Sequence, residues 1–537
     1  VSVDFDKLAV RGLNPAEQER EDEWIALVDE YEPGEPKVLR EFFPFGVYAG
    51  PPDSSSAHQY RHRQTFGILA RHHLNFFLAG APARRQGRWH DDADERVPAI
   101  VTAAAENGIR VNLRMRRGTV MFSEQGAAGI AAWARPIVEQ VRDRNAVIGY
   151  DVGDELPLAA LHDVVAAIAV LKRLDPARPA TLTFWDPTSV RAYSPYLSVN
   201  VSDIYPLRAD SGQTGAYMFE WCRQVARDTD NKRHWIILQS FGNAPWREPR
   251  GYICPTPAEL RLMTWASLAG GARGFIYYSF SYDRYKMLAD QWGNPTELLR
   301  ELKRLGPRLI PLGRRLLDAV VDWTDPVKTD NDALLVGALH APERNARYAI
   351  VVNTDVRLPQ DGRFSGVEPG TVCDLETFAP VPDNRIRLLP PGGGRVYLVG
   401  DPAQLEPETE VLRAYAEEET YRSNAPDRAL AAHYGEGLDD CLAARAALEA
   451  VARRLGSVEP AMFEDNPDPV VVERMAPWRE PYWAVHQPWS EAWEQLLSGH
   501  GIPDNLDTLD ARSRELQAGI LAALDGHPMY PGWLPTD

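Results

Sequence analysis

Three carboxylates stand within five positions in Asp151-Val152-Gly153-Asp154-Glu155, directly after the apolar run Ala146–Tyr150. Carboxylates this close repel and raise one another's pKa, and a carboxyl with a raised pKa is what general acid catalysis near neutrality needs. Two more aspartates follow other apolar runs: Asp203 in Ser202-Asp203-Ile204-Tyr205-Pro206, and Asp283 after Gly274–Ser279. Each also has a purely structural reading. Asp154 or Glu155 gains from the dipole of a following helix, and Asp203 is able to hold its own loop through Asx hydrogen bonds. Deciding between these readings requires the elements that carry the residues.

Short runs rich in β-branched and aromatic residues alternate with longer amphipathic stretches from residue 41 to about residue 315, the pattern of βαβ units. Eight strands are predicted: Phe45–Tyr48, Asn75–Leu78, Arg110–Leu113, Ala146–Tyr150, Thr181–Trp185, Leu197–Val201, Trp235–Gln239 and Gly274–Ser279. Eight such units match a (β/α)8 TIM barrel, in which reactive groups sit at the C-terminal ends of the strands. A dinucleotide fold is disfavoured because no GxGxxG follows the first strand. The carboxylates above all lie at or beyond predicted strand ends.

Beyond residue 320 the pattern turns to period-2 strands at Ala333–Leu339, Tyr348–Asn353, Thr371–Asp374, Arg385–Leu389 and Arg395–Val399, with a turn read at Asp361–Gly362. These predict a small antiparallel β-sandwich. After Pro402 the chain is Ala- and Glu-rich, with helices read at Glu408–Ser423, Leu438–Leu455 and Asp510–Leu524 around a stretch carrying Trp478, Trp483, Trp489 and Trp493. The expected fold is therefore mixed α/β: a helical extension over 1–40, the barrel over 41–320, the β-sandwich over 321–402 and a helical, Trp-rich region over 403–537. The Trp-dense segment has too little periodicity for an autonomous core, so it is expected to pack on the barrel or on a second copy.

The segment Ile148-Gly149-Tyr150-Asp151-Val152-Gly153-Asp154-Glu155 resembles the strand-four motif of clan A glycoside hydrolases, whose acid/base Glu directly follows an Asn or Asp. Ser202–Pro206, Trp235–Phe241 and Thr256–Phe280 extend the resemblance over about residues 41–400. It implies a glycosidase acting on an oligo- or polysaccharide, with Glu155 as proton donor, Asp154 orienting it, and Asp203 or Asp283 as base or nucleophile. One departure is plain. Retaining members carry a nucleophilic Glu at the end of strand seven, where this chain has Gln239, and an amide cannot form a glycosyl ester. That leaves inversion, which needs carboxyls about 6.5–9.5 Å apart, a nucleophile elsewhere, or a barrel that binds carbohydrate without cleaving it. Sugar faces stack on aromatic rings, and Tyr48, Trp185, Tyr205, Trp246 and Tyr278 fall at or past strand ends. With Arg114, Asp151 and Gln239 they form the expected substrate-binding set. Arg114 has two readings, contact with an acidic sugar or an ion pair with a strand-four carboxylate.

Composition sets the outer limits. Of 537 residues, 58 are Lys or Arg and 76 Asp or Glu, a net charge of −18 that argues against nucleic-acid binding. Only seven of the basic residues are lysine, a bias that suggests GC-rich bacterial coding. Cys222, Cys254, Cys373 and Cys441 are isolated, and His58, His62, His72, His73 and His90 lack metal-ligand spacing. Asp330-Asn331-Asp332 lacks the alternate spacing of an EF-hand loop. No cofactor or metal is therefore expected. The expected partners are a carbohydrate and a second copy through the C-terminal helices, with no membrane. Localisation stays open; a secreted or periplasmic protein is favoured only if a leader was removed before Val1.

Overall fold

The computed structural model describes residues 14–29, 31–48, 62–78, 84–85, 88–89, 93–242, 251–280, 287–324, 327–368, 370–462 and 468–527. Eight parallel strands close a barrel: β1 Phe45–Tyr48, β2 Phe76–Leu78, β3 Arg110–Arg114, β4 Val147–Asp154, β5 Ala180–Phe184, β6 Asn200–Ile204, β7 His234–Gln239 and β8 Phe275–Tyr278. They lie in chain order, with β8 pairing back on β1 from Phe45↔Phe275 to Tyr48↔Tyr278.

Alternation along each strand sorts the side chains. Val111, Leu113, Val152, Leu182, Ile236 and Leu238 join the core beneath the surrounding helices. Phe76, Ile148, Val201, Trp235, Ile237 and Ile276 form a separate apolar cluster that fills the lumen. Leu39, from the short helix Lys37–Glu41, belongs to that same cluster and is buried. The buried charged groups Arg114, Asp151 and Asp203 lie toward the C-terminal ends of their strands, so that mouth is where charged chemistry is available.

Two strands differ from the sequence reading in ways that matter for the site. A 3-10 turn at Ser194–Tyr196 delays β6, which runs from Asn200 to Ile204 rather than from Leu197 to Val201. Asp203 is thereby inside the strand and buried, not in the loop after it. β4 continues past Tyr150 to Asp154, with a register shift against β5 between Asp151 and Gly153. Residues three apart face opposite sides of a regular strand; the irregularity turns Asp151 and Asp154 toward one shared partner, as a bulge does.

The barrel helices begin and end for local reasons. Helix Pro257–Gly270 opens on a capping box, with Thr256 Oγ1 accepting from the Glu259 amide and the Glu259 carboxylate accepting from the Thr256 amide at 2.8 Å. It closes on Gly271, whose φ of 111° suits glycine. The face of this helix receives the β-domain at minimal distance. A Cβ at Gly337 would fall 2.1 Å from the Ala269 carbonyl oxygen, and one at Gly394 would fall 2.5 Å from the Trp265 ring.

That domain has a six-stranded antiparallel sheet, with Leu334–Ala341, Ala346–Asn353 and Gly394–Val399 at its centre, and a three-stranded sheet of Lys328–Thr329, Gln360–Ser365 and Arg385–Leu389. Phe364, Ile386 and Leu389 of the smaller sheet share one core with Val351, Val372 and Tyr397 of the larger. Asp361–Gly362 lies within a strand, not a turn; the pairing register shifts there, and glycine marks the irregularity.

Among the described residues six α-helices follow, from Leu405–Ser423 to Leu506–Leu524. The stretch that lacked periodicity is helical, as Pro469–Ala484 and His486–Leu497. It contributes to a core of the region's own, in which Leu448, Leu455, Met475, Trp489, Leu516 and Ile520 are buried. Trp493 is buried there too, whereas Trp483 is exposed. Arg315 binds Glu408 at 2.7 Å and Arg422 donates to the Leu74 carbonyl at 2.9 Å, tying these helices to the barrel flank. Among the described residues no helix is long and apolar enough to cross a membrane.

Candidate active site

At the barrel mouth the ends of β1, β3 and β4 meet in one charged network. Arg116, two residues past β3, donates from Nε to Asp151 Oδ2 at 3.1 Å and from Nη2 to the Tyr48 hydroxyl at 2.8 Å. The same Nη2 lies 3.2 Å from Asp154 Oδ2, and the Tyr48 hydroxyl donates to that oxygen at 2.9 Å. Arg114 lies underneath, its guanidinium 4.5 Å from the centre of the Tyr48 ring and its Nε 3.7 Å from Asp151. Burial pushes the Asp151 carboxyl upward in pKa, against the pull of Arg116 and Arg114. Nearby carboxylates hold the Arg116 guanidinium more firmly protonated, in spite of its own burial.

These contacts correct two expectations. Asp151 is 1% exposed and Arg114 7%, and both are turned to their neighbours in the barrel wall. Arg114 takes the ion-pair reading, which removes the argument for an acidic sugar. Asp151 is a buried anchor for two arginines, not a group that reaches a substrate.

Glu155 follows directly, exposed and with a positive φ of 52°. Its amide donates to the Thr183 carbonyl at 3.0 Å, which ties it to β5. Across the mouth, burial drives the Asp203 carboxyl well above its ordinary pKa, with further upward pressure from Glu155 and Asp154 and from a hydrogen bond with Glu155. Tyr205 donates to Asp203 Oδ2 at 3.4 Å, whereas Asp203 Oδ1, also buried, has no neutral donor beside it. Burial and the neighbouring carboxylate thus both favour the protonated form of Asp203.

Gln239 is the last residue of β7, fully buried, and its amide is spent on backbone. Oε1 accepts from the Leu207 amide at 3.0 Å; Nε2 lies 3.1 Å from the Leu207 carbonyl, 3.2 Å from that of Phe241 and 2.8 Å from that of Ile253. It clamps the loops after β6 and β7 together. This replaces the expectation that it binds a sugar hydroxyl.

Aromatic rings pack beside the carboxylates of the mouth, with Tyr48 bonded to Asp154 and Tyr205 to Asp203. Tyr205 lies 5.1 Å from Phe241, 5.7 Å from Tyr252 and 6.0 Å from Tyr278 between ring centres, and Tyr278 lies 5.2 Å from Tyr48. Trp185, just past β5, is 59% exposed and offers an open ring face. Asp283 and Trp246 lie outside the described residues, as do His58 and His90.

Arg116, Phe241 and Tyr252 were not singled out from sequence. For Arg116 the available signal was Arg114-Met115-Arg116-Arg117 beside an acidic strand end. Burial lowers the His72 pKa to about 4 and its Nδ1 lies 2.7 Å from the Ile68 carbonyl, while His73 pairs with Glu419 at 3.2 Å. Both serve packing. Asp330 Oδ1 accepts from the Arg363 amide of a neighbouring strand at 2.6 Å, and Asn331 Oδ1 closes a turn by accepting from the Ala333 amide at 2.9 Å. Among the described residues no group of three or more His, Cys, Asp or Glu is arranged to hold a metal.

Removing Arg116 exposes the cost of the network. In an Arg116→Ala variant, Asp151 loses its nearer cation and Tyr48 its donor, an expected loss of about 3 kcal/mol for a buried charge left short of a partner. The deficit is expected to grow with rising pH, because the ionised form of Asp151 is the one left uncompensated. Urea unfolding at pH 5 and pH 8 measures it; an equal deficit at both would show that Asp151 is not the group concerned.

No protein-family model and no curated protein sequence matches the chain. Among solved structures, it is similar to a glycoside hydrolase family 5 protein from Bacteroides vulgatus, with 15% identity, a TM-score of 0.47, and coverage of 67% of this chain and 90% of that one. It is also similar to a β-galactosidase from the psychrophilic Marinomonas ef1, with 12% identity, a TM-score of 0.40, and coverage of 51% of this chain and 60% of that one. A third is an exo-β-1,4-mannosidase from Opitutaceae bacterium strain TAV5, with 16% identity, a TM-score of 0.39, and coverage of 51% and 60%. The chain thus spans 60% of the length of the β-galactosidase and of the mannosidase it resembles.

Proposed function

We propose that the protein is a glycoside hydrolase whose acid is the Glu155–Asp203 pair. The observation that carries this reading is the buried Asp203 carboxyl, raised in pKa by burial and by the exposed Glu155, at a barrel mouth lined with aromatic rings. Asp203 is the buried member and the proton store; Glu155 is the exposed member and the group that meets the glycosidic oxygen. In the reaction Glu155 delivers the proton as the bond from C1 to the leaving oxygen breaks. Water adds hydroxide to C1, and its remaining proton returns to the pair, which restores the starting state. Asp154, held by Tyr48 and Arg116, supplies negative charge beside the oxocarbenium-like centre without leaving its place. Trp185 and the Tyr205–Tyr278 wall give the sugar apolar faces to stack on.

Replacing Asp203 by Asn tests the store. Its folded pKa lies above its unfolded one, so the stability it contributes is present below about pH 4 and is lost as pH rises through the folded value. At pH 7 Asp203→Asn is therefore expected to equal or exceed the parent in urea unfolding, while hydrolysis of a glycan panel falls. Full hydrolysis by this variant would remove Asp203 from the acid.

A carbohydrate-binding barrel without hydrolysis is the second reading, and one observation favours it: β7 ends in an amide engaged with backbone rather than in a carboxylate. It predicts glycan affinity with no product.

A further inference from the structure

The chain that returns from β8 to helix Glu297–Arg315 carries its tip into the C-terminal helices. Asp290 Oδ1 accepts from the Trp292 and Asn294 amides at 2.9 and 2.8 Å, closing a tight turn, and Ala289 bridges to Pro295. The turn presents Trp292, which is fully buried in the core of the helical region rather than in that of the barrel. Its Nε1 donates to the Tyr482 hydroxyl at 2.6 Å, which donates in turn to the Leu455 carbonyl at 2.8 Å. Its ring meets those of Tyr482, His486 and Trp489 edge-on, at 5.5, 5.0 and 5.0 Å. Asn294 adds a bond to the Ala452 carbonyl at 2.9 Å, and the Gln291 amide donates to Glu459 at 3.3 Å.

The other end of this loop is fastened to the mouth of the barrel. The Ala289 amide donates to the Phe280 carbonyl at 2.9 Å, and Ser279 Oγ lies 3.2 Å from Met287 Sδ. Ser279 and Phe280 directly follow Tyr278, whose carbonyl accepts from both the amide and the hydroxyl of Ser240. A continuous set of bonded and packed groups therefore runs from the helical core through Trp292 to the aromatic wall of the cleft.

We propose that the C-terminal helical region positions the β8 side of the cleft by gripping the 287–296 loop, with Trp292 and Tyr482 as its positioning residues. The role in substrate binding rests on the hydrolase reading; the mechanical coupling does not. A large aromatic side chain given by the barrel to another unit's core, with its one polar atom satisfied there, is a costly arrangement for a region that merely rides alongside.

The test is hydrogen exchange on the full chain, comparing Trp292→Ala, the milder Trp292→Phe, and Leu524→Ala, which opens a buried site elsewhere in the same core. Trp292→Ala is expected to raise exchange over Phe275–Phe280 and Met287–Thr296 by about tenfold or more, leaving Arg110–Arg114 unchanged, with Trp292→Phe between it and the parent. Leu524→Ala is expected to loosen the helices with a smaller effect at β8. Unchanged exchange at Phe275–Phe280 in Trp292→Ala, or an equal rise in Leu524→Ala, would overturn the coupling. On a glycan that the parent hydrolyses, Trp292→Ala should raise KM more than it lowers kcat; the reverse split would overturn a positioning role. The exchange measurement needs no turnover, so failure of the hydrolase reading is told apart from failure of the coupling.

Discussion

A Glu155→Gln variant is expected to lose about a hundred- to ten-thousandfold in kcat, the usual worth of a positioned proton donor, and to unfold within about 0.5 kcal/mol of the parent. The two halves of that expectation come from the same geometry. Glu155 is exposed, its amide rather than its carboxyl ties it to β5, and Gln tolerates the 52° φ no worse than Glu does. An amide at this position still bonds to Asp203 but has no proton to deliver. Loss of activity together with loss of stability would assign Glu155 a structural role. Full activity would remove it from the chemistry.

Gln239→Glu, which places a carboxylate at the end of β7, is expected to cost stability rather than to create a nucleophile. The Gln239 amide nitrogen faces the carbonyl oxygens of Leu207, Phe241 and Ile253, all within 3.2 Å. A carboxylate oxygen there would meet three acceptors and no donor, in a site that solvent does not reach. The group must either stay protonated or break the clamp between the two loops. An expected cost of about 3 kcal/mol or more follows from leaving a buried charge without partners. The deficit should shrink in acid, where the new carboxyl is neutral and again able to donate. Urea unfolding at pH 5 and pH 8 reads both effects. A Gln239→Glu protein as stable as the parent at pH 8 would show that the amide is not the clamp described above.

Barrel, β-domain and helical tail were all legible from period and punctuation. Strands such as β1 and β7 carry continuous apolar runs because they are covered on both faces, and helix Pro257–Gly270 announces its start through Thr256-Pro257 and Glu259. The carboxylates at β4 were legible for a related reason: so many acids beside a buried strand conflict with burial unless something compensates or uses them. The compensation itself was not legible. Arg116 reaches Asp151 and Asp154 together only because β4 is irregular between Asp151 and Gly153, a backbone feature with no residue signature beyond Gly153. Gln239 was misjudged because residue type says that an amide is polar and not whether the backbone has already claimed it. Trp292 could not have been assigned from local pattern, since its partner Tyr482 lies 190 positions away in sequence.

The central claim is that the Glu155–Asp203 pair breaks a glycosidic bond, and the most direct measurement is proton NMR of a glycan panel incubated with the parent and with Glu155→Gln and Asp203→Asn. The account predicts a new anomeric signal from at least one glycan with the parent and its loss with either variant. Binding shifts without any new anomeric signal from the parent, or an undiminished signal from both variants, would contradict it.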